Sequence, residues 1–170
     1  MAIIHPPTTP VAAAPAHAPA APPAPPIDLL LVESDFLVRR TVAAVARDMR
    51  LANPQEATSV EAAERLLATH AFDALFLSLE DRETALALVN KVRLGDTLCP
   101  ADTPVAVTAE ACDTTLALQL KTLDVRRLLL RPFKVKGLLE AIAALRDAAA
   151  AAPVPQGVKP NTLTVPDAAT

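Results

Sequence analysis

Between residues 27 and 151, short apolar runs alternate five times with amphipathic stretches, and no other feature of the chain restricts its fold as much. Leu29-Leu30-Leu31-Val32 is apolar without a break, which suits a strand covered on both faces. Ala74-Leu75-Phe76-Leu77, Pro104 to Thr108 and Leu128-Leu129-Leu130 repeat that pattern, and a weaker run around Gln55 to Thr58 supplies a second strand. Asp35 is placed to cap a helix in which Val38, Val42, Val45 and Met49 share one face up to about Arg50. Ser59 caps the next, Val60 to Thr69, with Ala63, Leu66 and Leu67 inward, and a third spans about Arg82 to Leu94 before the helix-stopping Gly95. The fourth, about Asp113 to Leu123, carries Leu116, Leu120 and Leu123 on one stripe. The last, about Val135 to Ala151, turns Leu138, Leu139 and Ile142 inward. Five β-α units in strict alternation predict an α/β fold, a parallel sheet with helices on both faces.

The ends are of another kind. Residues 1–26 hold nine of the 17 prolines in a Pro/Ala matrix, where fixed φ and missing N–H groups exclude helix interior and sheet ladder alike. Residues 152–170 continue in that style, so the reading is one domain over 27–151 between two disordered tails. A net charge of −3 gives no overall attraction to nucleic acid or anionic lipid. Cys99 and Cys112 have no metal-ligand spacing and read as reduced, buried thiols. No apolar run reaches the roughly 20 residues that span a bilayer, and residues 1–26 lack the regions of a secretory signal, so a cytoplasmic protein is expected, without membrane or nucleic-acid partner.

The order and spacing of these elements resemble the receiver domain of two-component response regulators, a flavodoxin-like (βα)5 fold with strand order 2-1-3-4-5. Val32-Glu33-Ser34 ends the first strand where that family carries an acidic pair, with Arg39-Arg40 in the following helix. The segment Phe72 to Leu79 matches the strand ending in the phosphoaccepting Asp, Thr108-Ala109 the hydroxyl and small residue after strand four, and Arg131-Pro132-Phe133 the Lys-Pro-Phe signature after strand five. The separations from Ser34 to Ser78 and from Ser78 to Thr108 agree with the family's landmarks, and Thr108 to Arg131 is one residue longer than in the commonest members.

What the resemblance implies about chemistry is largely negative. Receivers transfer a phosphoryl group to an aspartate, with Mg²⁺ neutralising the transferring oxygens and a Lys clamping one of them. Ser78 stands at the acceptor position, and a neutral hydroxyl needs a general base. Glu33 and Ser34 leave one carboxylate where a hard divalent cation wants two or three anionic oxygens. Arg131 replaces the Lys, and its planar fork is expected to pair with Glu33 and donate to Ser78 or Thr108, filling the metal and phosphate space. Leu128 stands where many members carry a rotating aromatic that reports phosphorylation. The expectation is a degenerate pocket of Glu33, Ser34, Ser78, Thr108 and Arg131, with no metal, no cofactor and no enzymatic activity. Glu80 and Asp81, beyond the strand, read as helix-capping residues rather than substitute acceptors.

Output then falls to protein contact. The resemblance points to the face of the fourth helix, fifth strand and fifth helix, with Leu118, Lys121, Arg126, Arg127 and Arg146 as interface candidates. The expected partner is a histidine kinase, another regulator or an effector, or else a second copy of the chain. A second reading has Arg126, Arg127 and Arg131 binding an anionic nucleotide second messenger at the carboxyl edge of the sheet. A third keeps a phosphorylatable receiver with a non-standard acceptor.

Overall fold

Four helices begin at a side chain that accepts the backbone N–H three residues on, relieving one of the amides a helix start leaves unbonded. Asp35 accepts from Val38 at 2.8 Å, Ser59 from Ala62 at 3.2 Å, Asp81 from Thr84 at 3.4 Å and Asp113 from Leu116 at 2.6 Å. These are the starts of α1 (Phe36–Asp48), α2 (Val60–Leu67), α3 (Arg82–Leu94) and α4 (Thr114–Thr122) in the computed structural model, which describes residues 25–151. The rest is α5 (Val135–Ala151) and five strands, β1 (Ile27–Val32), β2 (Ala52–Ala57), β3 (Ala74–Ser78), β4 (Val105–Ala109) and β5 (Arg127–Leu130). Apart from Pro25 and Pro26, the two expected tails lie outside the described residues.

The strands pair in parallel in the order β2-β1-β3-β4-β5, the doubly wound arrangement of flavodoxin-like folds. Alternation along each strand divides the core in two. Leu30, Leu75, Leu77 and Val107 face α2, α3 and α4, whereas Leu29, Leu31, Phe76 and Leu129 face α1 and α5. Because both faces are covered, β1 and β3 are apolar throughout their central residues, and truncating Leu30 or Leu75 to Ala costs about 2–5 kcal/mol.

Four details depart from the sequence reading. β2 begins three residues before Gln55 and contains Pro54. It is an edge strand bonded to β1 alone, so the missing N–H of Pro54 breaks no second ladder. Met49 is the C-cap of α1, 56% exposed, and the inward face is made by Val42, Ala43 and Ala46. Leu139 is only partly buried; Leu138, Ala141, Ile142 and Leu145 carry the packing of α5. Cys99 is buried as expected and accepts the Phe72 N–H, but Cys112 is exposed in the turn before α4.

Candidate functional site

In a parallel sheet all strands end at the same edge, and here those ends bring five of the singled-out residues together. Ser78 closes β3 in register with Thr108 of β4, Glu33 and Ser34 follow β1, and Arg131 follows β5. The Arg131 N–H donates to Ala109 O at 2.8 Å, which holds the chain against the end of β4 as it leaves the sheet through a cis Arg131–Pro132 bond.

The Arg131 side chain reaches back across the edge. Its Nη2 donates to Glu33 Oε2, to Ser78 Oγ at 2.9 Å and to Thr108 Oγ1 at 3.4 Å. Two protons serve three acceptors, so Glu33 and Ser78 hold them and Thr108 shares. Glu33 is 1% exposed, and its other oxygen accepts the Asp35 N–H at 3.1 Å. Charge is therefore balanced inside the pocket, one buried carboxylate against one guanidinium. Arg131 Nε is buried too and finds no partner among the described residues.

Two residues that sequence reasoning did not assign to the pocket complete it. Arg39 donates to Glu33 O at 2.8 Å and Ser34 O at 3.0 Å, with Glu56 3.5 Å from its guanidinium, and so fixes the turn between β1 and α1. Glu80 accepts from Ser34 Oγ, whereas its neighbour Asp81 caps α3 as expected. The only signal for Arg39 was its place in α1; nothing in the sequence pointed Glu80 at Ser34. Two clefts flank the ion pair. One of about 220 Å³ lies between Ser34, Ser59, Glu61 and Glu80, and another of about 340 Å³ between Arg82, Thr108, Glu110 and Arg131. Ser59 hydrogen-bonds the Glu61 carboxyl and holds its pKa below the ordinary value.

His70, the one imidazole among the described residues, bonds Thr69 Oγ1 and lies beside the Phe72 ring before β3 begins. Ser78 stands at the other end of that strand, so His70 cannot serve it as a base.

The remaining candidates scatter. Leu128 packs partly buried against the α2–α4 side of the core. Leu118, 61% exposed, and Lys121 lie on α4. Arg126 bonds Val105 O through its backbone just before β5, with its guanidinium 3.5 Å from Asp124, and Arg127 opens the strand. Arg146 sits on α5, 3.2 Å from Asp147. Arg126 and Arg127 are thus at the start of β5 and Arg131 beyond its end, so the three do not meet as a nucleotide site at the carboxyl edge needs.

No protein-family model and no curated protein matches the sequence. Solved structures do match in fold. The chain is similar to a response regulator from Thermotoga maritima, with 21% identity and a TM-score of 0.63 over 72% of this chain and 98% of that one. It is also similar to the chemotaxis protein CheY4 of Vibrio cholerae (17%, TM-score 0.62, 71% and 98% covered) and to the receiver domain of Francisella response regulator 1452 (15%, TM-score 0.61, 71% and 97% covered). The architecture is therefore the flavodoxin-like fold of CheY and the response-regulator receivers. Among the described residues, no helix is long and apolar enough to cross a membrane.

Proposed function

We propose that this chain is a receiver-type signalling module that works without phosphorylation, acting through contact with another protein rather than as an enzyme. The observation that carries this reading is the Arg131 guanidinium, bonded at once to Glu33, Ser78 and Thr108. Phosphoryl transfer to a receiver needs an anionic acceptor, a metal to neutralise charge and a cation free to clamp the arriving oxygens. Here the acceptor position holds a hydroxyl that itself accepts a hydrogen bond from Arg131, and the cation is already engaged. The donor set does not suit Mg²⁺ either. Glu33 is the one buried carboxylate of the pocket and is already paired with Arg131, Glu80 is bonded to Ser34 Oγ, and the described residues contain no group of three acidic, His or Cys side chains arranged to hold a metal. A pocket filled by its own ion pair stays in one state, so signalling falls to the outer surfaces, and a histidine kinase, another regulator or an effector fits that role.

Thermal unfolding with and without Mg²⁺ and beryllofluoride tests this. A ligand that binds only the folded form must raise the midpoint. No shift is expected for the wild type, and a shift that saturates with both ions overturns the reading. The variant carrying Ser34→Asp, Ser78→Asp and Arg131→Lys is the positive control: with the carboxylates and the slender cation restored, its midpoint is expected to rise.

A further inference from the structure

On the α2–α4 side of the sheet, α3 and α4 leave a hollow of about 520 Å³ between them, floored by Leu86 and Leu123 and flanked by Ala87, Asn90 and Leu118. No charged residue lines it. Leu118 stands 61% exposed at its rim, an apolar side chain beside an apolar hole. The comparable hollow beside β5 is instead lined by Arg127, Glu140 and Asp147. We propose that the α3–α4 face is a self-association surface, on which a second copy of this chain packs about a twofold axis lying in the plane of the face and crossing both helices at Ala87 and Leu118.

The two helices are in step. Arg82 bonds Asp113 at 3.0 Å across their N-terminal ends, so equal steps along each helix bring Ala87 level with Leu118. Both residues point away from the core, being opposite the buried stripes Ala85, Val89, Val92 and Leu116, Leu120. A twofold axis at that level lays each helix antiparallel on its own copy. Glu83, one turn before Ala87, then faces Lys91 of the second copy, one turn after it, and the pairing occurs twice. Glu83 makes no ion pair among the described residues, and Lys91, though held 2.5 Å from Glu64, has donors to spare. On α4 the corresponding pair is Thr114 with Thr122, both uncharged, and the two Leu118 side chains meet at the axis. The surface thus complements itself in charge, antiparallel helix dipoles add to the attraction, and a net charge of −3 opposes pairing only weakly. The chain's own Pro/Ala-rich ends are a poorer occupant, because proline-rich segments dock between aromatic rings and no aromatic residue lines this hollow.

The assignment rests on the reading of the domain as a contact module only for its meaning; a beryllofluoride shift would refute that reading without touching a measured mass. The test is sedimentation equilibrium of the full chain over a concentration series. A dimer is expected for the wild type and a monomer for Leu118→Glu. Glu83→Lys and Lys91→Glu should each weaken self-association about tenfold, since both symmetry-related contacts become like-charged. Mixed together, those two variants restore Glu–Lys complementarity at both contacts, so a heterodimer is expected from two poorly associating proteins. A wild type that stays monomeric up to about 1 mM overturns the proposal. So does a dimer that survives Leu118→Glu, or a mixture that associates no better than its components, with circular dichroism confirming that each variant is folded.

Discussion

Removing the Arg131 guanidinium strands a carboxylate that is 1% exposed, and an uncompensated buried charge costs about 3–5 kcal/mol. Arg131→Ala is therefore expected to lose stability of that order in urea unfolding. Glu33→Gln combined with Arg131→Gln is expected to recover most of it, because neutral partners of similar shape no longer carry the desolvation penalty. A double variant as unstable as Arg131→Ala would mean that packing, not charge, holds this edge together. The same pair explains what was legible at this scale. Glu33, Ser78, Thr108 and Arg131 each stand at or just past the end of a strand, and parallel strands gather their ends by construction. Arg39 and Glu80 reach the pocket through the turns they sit in and the rotamers they adopt, neither of which leaves a periodic trace in sequence.

Between elements, one side chain ties more backbone than any motif suggested. Arg93, in the last turn of α3, donates to Leu123 O, Ala101 O and Thr103 O at 2.8 Å and to Asp124 O at 3.2 Å. It joins α3 to the turn between α4 and β5 and to the loop before β4. Burial lowers its pKa from the ordinary arginine value, and the four carbonyls supply the hydration it gives up. Arg93→Ala leaves these carbonyls to water or to nothing, and a loss of about 3 kcal/mol in urea unfolding is expected. Arg93→Lys should recover little, since a point charge does not span the fork. A lysine variant as stable as wild type would reduce Arg93 to a simple cation. The helices themselves were readable because caps and stripes are local: Asp35, Ser59 and Asp81 announce three of them. β2 was readable only as a weak run around Gln55 to Thr58, and its start at Ala52 was missed, since Pro54 argues against a strand until its edge position is known. On α5 the reading of Leu138 and Ile142 as inward holds, but Leu139 was misplaced because the run of Ala and Leu offers several apolar arcs, and only the sheet selects Leu138, Ala141, Ile142 and Leu145.

Across the molecule, protection should follow a strand's position in the sheet order β2-β1-β3-β4-β5, higher inside than at the edges. β1 and β3 lie inside the sheet with helices on both faces, and Leu29, Leu30, Leu31, Leu75 and Leu77 are fully buried. Their amides open to water only when the whole domain unfolds. β5 is a four-residue edge strand with Leu130 48% exposed, and α4 buries only Leu116 and Leu120, so both can open locally at smaller cost. Native-state hydrogen exchange is thus expected to be slowest in β1 and β3 and clearly faster in α4 and β5. Repeating it at rising protein concentration joins this gradient to the surface argument. Pairing through the α3–α4 face slows exchange in α4 by mass action and leaves β5, outside that face, as it was. Slowing confined to β5 would place the contact on the sheet edge instead, and equal slowing everywhere would mean that association stabilises the domain globally rather than covering this face.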